Sequence, residues 1–280
     1  MIKILTIAIA LRKIGISDFS PKSILFLILS FTAIGVSAQN QTNMLTLENL
    51  NSSENVIIAK DSLARFVCKL EGLKKGKSKV RIMHYGDSHI AMANFIDRLY
   101  DNLSAAFTSP KWRRWLHFSF KRPIVYLNKG VSGSQFQILL EKEADVLKDI
   151  EKAKPDLVIF SFGSNESYRS GFDSLAYAKE VSSFIQKIHV VTERTAILFT
   201  TCPDTHYKNQ VPPNTLVINR ILKQVAADTN AALWDLNTIM GGFGSNAQWV
   251  QEKLGHEDQL HFTVEGYQLQ ADLLFQALLK

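Results

Sequence analysis

The 280-residue chain has only two cysteines, and this scarcity excludes several kinds of chemistry. Cys68 and Cys202 form neither a C-x-x-C pair nor a Cys/His arrangement, which argues against thiol catalysis and against a zinc site. The chain also lacks H-E-x-x-H, and its glycine-rich stretch at 241–244 does not have the spacing of a phosphate-binding loop. No metal or organic cofactor is implied. The two cysteines could pair in an oxidising compartment, but we expect two free, buried thiols because they are far apart in sequence.

The apolar run near the N-terminus, Ile24 to Val36, is shorter than the roughly 20 residues of a membrane span. It follows four basic residues and precedes the small-residue pattern Val36-Ser37-Ala38, an arrangement typical of export signals. We therefore predict a signal peptide over residues 1–38 and a periplasmic or secreted protein, with a retained anchor or a buried helix as alternatives. An extended, polar lead-in is expected over 39–60, and one domain over 61–280.

The net charge of +6 depends strongly on that leader. Removal of residues 1–38 takes away four basic residues and one acidic residue, which leaves 28 − 25 = +3. A nucleic-acid-binding protein would need a clustered basic face with aromatic platforms. The strongest candidate, Lys111-Trp112-Arg113-Arg114-Trp115, is too local for this role. We predict no nucleic-acid partner and place the cluster in a loop that contacts substrate, cell-wall polymer or solvent.

Apolar runs of strand length alternate with amphipathic segments of helix length, as expected for βα units on a parallel sheet. The predicted strands are Val80 to Tyr85, Ile124 to Asn128, Leu157 to Phe162, Ala196 to Thr200 and Ala232 to Leu236. The predicted helices are Ala91 to Ala106, Ser134 to Lys152, Ser174 to Val190, Thr215 to Asp228 and Val264 to Leu279. The pattern predicts an α/β fold: a three-layer α/β/α sandwich around a five-stranded parallel sheet, doubly wound and flavodoxin-like.

Three short glycine-containing motifs follow the first three predicted strands. They are Gly86-Asp87-Ser88, Gly130-Val131-Ser132-Gly133 and Gly163-Ser164-Asn165. Ligands of such sheets bind beyond the carboxyl ends of the strands, where the strand order reverses. We therefore expect the three motifs to converge at one edge of the sheet.

A serine hydroxyl becomes a nucleophile when a base removes its proton and a third group orients that base. Ser88 lies where a strand ends and a helix should begin. Asp258 and His261, three residues apart, supply a carboxylate and an imidazole from a single segment. These residues form a candidate catalytic triad without a distant acidic residue.

The oxyanion that develops during attack on an acyl carbonyl needs preorganised donors, each worth about 2.7–4 kcal/mol. Three donors are available: the backbone N–H of Ser88, the backbone N–H of Gly133 and the side-chain amide of Asn165. Glycine at 133 would leave room for the carbonyl to approach the backbone.

Each of these residues also has a structural interpretation. Ser88 could be a helix N-cap, and Gly130, Gly133 and Asn165 could be turn residues. His84 lies within a strand and is expected to be a hydrogen-bonded core histidine. We place His89 at the rim of the site, where it could contact substrate, and His206 in a loop that could line the cleft. The joint occurrence of the motifs at strand ends favours the catalytic interpretation.

In their order and content these motifs, with Asp258-Gln259-Leu260-His261, resemble the four sequence blocks of the SGNH or GDSL hydrolase superfamily. The resemblance covers Lys79 to Lys280 and implies an α/β/α fold and ester hydrolysis. It assigns the nucleophile, the oxyanion donors and the Asp–His pair to Ser88, Gly133, Asn165, Asp258 and His261. Two positions depart from the usual pattern, since Glu166 replaces an aspartate and His89 replaces a leucine.

Both departures resemble bacterial envelope members of the superfamily, the carbohydrate or peptidoglycan O-acetylesterases. The sequence thus predicts a secreted serine esterase that removes an O-acetyl or other small acyl group from a carbohydrate or cell-wall glycan. One alternative is an O-acyltransferase that passes the acyl group to a glycan hydroxyl. The other is a non-catalytic glycan-binding module that uses Trp112, Trp115 and Phe118. The natural polymer, the acyl chain length and the oligomeric state are left open.

Overall fold

A six-stranded sheet forms the centre of the described part of the chain, residues 50–76, 78–108, 123–207 and 210–280 of a computed structural model. Its strands are β1 (Ile57–Ile58), β2 (Val80–Gly86), β3 (Ile124–Gly130), β4 (Leu157–Ser161), β5 (Ala196–Thr200) and β6 (Ala232–Trp234). The spatial order is β1-β6-β5-β4-β2-β3, and every pairing is parallel except the antiparallel one between β1 and β6. The predicted α/β fold is confirmed, with one additional, two-residue edge strand that the sequence pattern did not indicate.

Helices cover both faces of this sheet, as the apolar strands require. All five residues of β5 are buried, which is typical of a parallel strand between two helical layers. The α-helices of the described residues are α1 (Ala64–Lys74), α2 (Ser88–Ala91), α3 (Asn94–Phe107), α4 (Phe136–Glu141), α5 (Glu143–Ala153), α6 (Ser174–Val191), α7 (Thr215–Asp228), α8 (Leu236–Ile239), α9 (Ser245–Gln251) and α10 (Val264–Leu279).

The two helical layers are built differently. On one face, α6 and α7 contribute Phe184 and Ile218 to an apolar core that also contains Phe160 of β4. On the other face, α3 and α10 pack together, and Arg98 of α3 forms an ion pair with Asp272 of α10 at 2.7 Å. The sheet between them completes the three-layer arrangement predicted from the sequence.

The strand order reverses at β2, because β3 lies on one side of it and β4 on the other. The ends of these strands are in register: Gly86 pairs with Gly130 on one side and with Ser161 on the other. The N–H of Val131 extends this contact by donating to the Gly86 carbonyl at 3.0 Å. The three motifs therefore leave the sheet at the same level, at its topological switch point.

Several sequence predictions lie wholly or partly outside the described residues: the signal peptide, the lead-in up to residue 49 and the Lys111–Trp115 cluster. Residues 50–60 lie against the domain, where β1 pairs with β6. Within the described ranges, no helix has the length and apolar composition needed to cross a bilayer.

Both cysteines are free, and Cys202 is buried as expected. Cys68, however, is exposed, so the prediction of two buried thiols is wrong for this residue. The reason is its position on α1, whose buried face carries Phe66, Leu70 and Leu73 at helical spacing. Residue 68 falls outside that face.

Candidate active site

Ser88 is held in place by the sharp passage from β2 into α2. Asp87 is the N-cap of α2, and its carboxylate accepts the His89 N–H at 3.0 Å. The serine therefore does not cap the helix, and its hydroxyl is available for another partner. Two glycines, Gly86 and Gly130, permit the close packing of the strand ends against α2. A Cβ on Gly130 would lie 2.5 Å from the Ala91 backbone nitrogen, which brings the second motif close to α2.

The loop before α10 brings His261 to this serine. The Ser88 hydroxyl lies 3.0 Å from His261 Nε2, and His261 Nδ1 lies 2.8 Å from the Asp258 carboxylate. An ionised carboxylate only accepts hydrogen bonds, so Nδ1 carries the proton and Nε2 is free to accept from the serine. The structure thus brings Ser88, His261 and Asp258 into one hydrogen-bonded line, although they are up to 173 residues apart.

Asp258 is oriented by its own loop. Its other carboxylate oxygen accepts the backbone N–H groups of Leu260 and His261, each at 2.9 Å. Partial burial alone would raise the pKa of Asp258, but these N–H groups and the His261 ring outweigh it and hold the pKa below its ordinary value. The carboxylate therefore remains ionised at neutral pH and can orient the His261 ring.

Gly133 and Asn165 lie in the loops after β3 and β4, which flank β2. Gly133 has a φ of +74°, and a Cβ placed on it would have no heavy atom within 4 Å. The Asn165 side-chain nitrogen donates to the Ser134 carbonyl at 2.9 Å, so this amide is fixed against the loop of Gly133. The amide nitrogen carries a second hydrogen for another acceptor. The two candidate oxyanion donors therefore belong to one connected pair of loops.

Glu166 makes a second connection between these loops, one that sequence reasoning did not assign to the site. Its two carboxylate oxygens accept the N–H of Phe136 at 2.6 Å and the N–H of Gly163 at 3.1 Å. Burial raises the pKa of Glu166 to about 7, despite these N–H donors. Its position next to Asn165 and its departure from the usual aspartate were the available signals.

His89 does not lie at the rim of the site, so that prediction is wrong. The residue is only 8% exposed, and its ring packs against the rings of His261, Phe262 and Tyr267. Burial, with a smaller contribution from His261, lowers the pKa of His89 to about 3, so the ring is neutral. The first turn of α2 directs this side chain inward, against the segment that carries His261 and Phe262.

Two further histidines for which the sequence makes predictions are His84 and His206. His84 is a fully buried core residue whose ring nitrogens bond the Tyr126 hydroxyl at 3.1 Å and the Ser161 hydroxyl at 2.7 Å, as predicted. His206 contacts the loop of the triad through its backbone, because its N–H donates to the Gln259 carbonyl at 2.8 Å. It thus supports the segment between Asp258 and His261.

A family model for the GDSL-like lipase/acylhydrolase family matches residues 85–269. This range covers most of the chain and contains the candidate triad, Gly133 and Asn165. The chain belongs to this family, and it is accordingly an enzyme that hydrolyses ester bonds. A comparison with curated protein sequences finds no significant match.

Solved structures share the fold. A peptidoglycan O-acetylesterase superposes with a TM-score of 0.67 at 17% identity, over 76% of this chain and 95% of that one. An acetylxylan esterase from Geobacillus stearothermophilus gives 0.52 at 18% identity, over 72% and 94%. A psychrotrophic esterase from Pseudoalteromonas sp. gives 0.52 at 19% identity, over 70% and 95%. At these identities the comparisons establish common architecture.

Proposed function

We propose that this protein is an exported serine esterase that removes acetyl or other small acyl groups from a carbohydrate or cell-wall glycan, with Ser88 as its nucleophile. The observation that carries the proposal is the line of contacts from the Ser88 hydroxyl through His261 to Asp258, at 3.0 and 2.8 Å. These lengths lie within the range required for a nucleophile, its base and an orienting carboxylate.

The reaction follows from the protonation states. Ser88 Oγ attacks the ester carbonyl carbon while its proton passes to His261 Nε2, and Asp258 stabilises the resulting imidazolium. The N–H groups of Ser88 and Gly133 and the Asn165 amide would bind the oxyanion. The C–O bond to the sugar then breaks, and the leaving oxygen takes the proton from Nε2. Water, activated by the same imidazole, releases the acyl group from Ser88.

Support for a glycan substrate comes from the comparisons and from the sequence. Two of the superposed proteins are named as esterases of acetylated peptidoglycan and xylan. The two departures from the common family pattern, His89 and Glu166, are the ones whose resemblance to envelope O-acetylesterases predicts this substrate class. The N-terminal pattern of residues 1–38 supports export to the compartment that contains such polymers.

The direct test compares the purified protein with its Ser88→Ala variant on p-nitrophenyl acetate, acetylated xylan and acetylated peptidoglycan fragments. We expect loss of turnover in Ser88→Ala with an unchanged melting temperature. Ser62→Ala is a matched control, since Ser62 is far from the site in sequence and its hydroxyl donates to the nearby Ala59 carbonyl. Retained turnover in Ser88→Ala would remove this serine from the mechanism. Transfer of acetyl to an added acceptor glycan would identify the transferase, and glycan affinity without turnover would identify the binding module.

A further inference from the structure

A cavity of about 30 Å³ lies beneath the catalytic loops. Its lining residues include Ser161, Thr200 and Trp234 at the ends of β4, β5 and β6, and Tyr267 and Gln270 in the first turns of α10. Its polar lining includes Asp87, His89, Ser164 and Gln270. Two of the lining residues carry buried side-chain nitrogens that have no hydrogen-bond partner among the described residues: Nε2 of His89 and Nε2 of Gln270.

The His89 nitrogen requires a partner whichever tautomer is present. Tyr267 Oη lies 3.0 Å from His89 Nδ1, and the hydroxyl can donate or accept. If it donates, Nε2 carries a proton that needs an acceptor; if it accepts, Nε2 is a lone pair that needs a donor. Buried polar groups are rarely left unpaired, because an unmade hydrogen bond is costly in a low-dielectric interior.

The cavity has the size and chemistry to provide this partner. A buried water needs on the order of 10–15 Å³ and two to four polar neighbours. The cavity exceeds that volume, and although most of its lining is apolar, Asp87, Ser164 and Gln270 contribute polar residues to it. One or two water molecules would satisfy His89 Nε2 and Gln270 Nε2 together.

The consequence for the site comes from ring packing. The His89 ring centroid lies 5.5 Å from that of His261, and the His89 ring also packs against the rings of Phe262 and Tyr267. A neutral ring fixed at both nitrogens forms a rigid surface against which the His261 imidazole rests. A ring released from these partners would let that imidazole move away from Ser88.

We propose that His89 is a positioning residue for His261, held at Nδ1 by the Tyr267 hydroxyl and at Nε2 by ordered water in this cavity. The proposal rests on the proposed function, in which His261 is the general base. It assigns a role to one of the two positions at which the chain departs from the usual family pattern.

The kinetic test uses Tyr267→Phe, which removes only the hydroxyl, and His89→Leu, which removes both ring nitrogens. We expect kcat to fall by about tenfold in each with KM within about twofold, because small misplacement of a catalytic group costs rate rather than binding. The double variant should be no slower than His89→Leu, since the two groups act as a unit. Tyr177→Phe, which removes another buried hydroxyl without a partner among the described residues, should retain wild-type kinetics. Wild-type kcat in folded His89→Leu and Tyr267→Phe would overturn the proposal.

A second measurement does not depend on turnover. In ¹⁵N-histidine NMR spectra of the wild type, we expect His89 to be neutral and in a single tautomer between pH 5 and 8, and Tyr267→Phe to mix the tautomers. A crystal structure should show water within hydrogen-bonding distance of His89 Nε2. A protonated or tautomerically mixed His89 in the wild type, or an apolar, dry cavity, would refute the role of His89. Turnover by Ser88→Ala would instead refute the proposed function and leave these results standing.

Discussion

Glu166 provides a sensitive test of how the two candidate oxyanion loops, those after β3 and β4, are held, because its carboxylate is buried and bonds both of them. Burial raises its pKa from 4.5 to about 7. The folded state therefore keeps the proton to a higher pH than the unfolded state does. The stabilising contribution of this proton is complete below pH 4.5 and is lost as the pH rises from 4.5 through about 7. Glutamine at this position has no proton to lose.

The magnitude follows from the pKa displacement. One pH unit is worth about 1.4 kcal/mol, so the displacement from 4.5 to about 7 corresponds to roughly 3 kcal/mol. We expect the unfolding free energy of Glu166→Gln, relative to wild type, to increase by about this amount between pH 4.5 and pH 8. Repulsion from buried Asp87 acts in the same direction, because it also disfavours the ionised form of Glu166.

Activity should change in the opposite sense. The glutamine oxygen can accept from Phe136 or from Gly163, but the amide nitrogen is a donor and leaves the other N–H unpaired. The loops of Gly133 and Asn165 then lose one of their connections. At pH 8 we expect Glu166→Gln to have a lower kcat than wild type. At the same pH, its unfolding free energy relative to wild type should be higher than at pH 4.5.

The assay is urea unfolding followed by tryptophan fluorescence at several pH values, with initial rates on p-nitrophenyl acetate. Glu143→Gln is a suitable control, because Glu143 is part of an exposed ion pair with Lys187 at 2.7 Å. Such a pair contributes at most about 1 kcal/mol. A stability difference for Glu166→Gln that does not vary with pH, or that falls as the pH rises, would refute the argument.

Three further predictions concern the site and the thiols. Gly133→Ala and Gly171→Ala should each lower the unfolding free energy by about 1–2 kcal/mol, because both glycines have positive φ and open space at Cβ. Only Gly133→Ala should also lower kcat, and equal activities of the two variants would remove Gly133 from the proposed oxyanion site. Asp258→Asn should reduce kcat by about 10⁴-fold through the wrong His tautomer, and a loss below tenfold would contradict that role. In the folded protein a thiol reagent should label exposed Cys68 and leave Cys202 unmodified, since burial raises the pKa of the Cys202 thiol; mass mapping that finds Cys202 labelled would contradict this.

Strand and helix positions were predictable where one local signal dominates. The continuous apolar runs defined β2 to β6 to within two residues, and α7 and α10 match their predicted bounds. The last predicted strand extended two residues too far, because Asp235 caps α8 and the strand ends at Trp234. The predicted helix from Ala91 is divided in the structure because Ala93 adopts a left-handed conformation between α2 and α3.

Three residues of the candidate site, Ser88, Gly133 and Asn165, were predictable because they stand in glycine motifs at strand ends. Asp258 and His261 were predictable from the short D-x-x-H pattern that completes the site. Its supporting residues were not, since their roles depend on distant partners. A first-turn histidine can face solvent or core, and His89 faces the core because Tyr267, 178 residues away, bonds its ring. Glu166 likewise acquires its role from the Phe136 N–H, which comes from another loop. Sequence periodicity contains no information on either contact.

The central claim is that Ser88 is a nucleophile activated by His261. Its most direct test is active-site labelling with a serine-directed phosphonate, followed by mass spectrometry of the intact protein and its peptides. We expect one adduct per chain, located on Ser88, absent from Ser88→Ala and formed at least about 100-fold more slowly in His261→Gln. An unlabelled wild type, an adduct on another residue, or labelling of His261→Gln at the wild-type rate would contradict the claim.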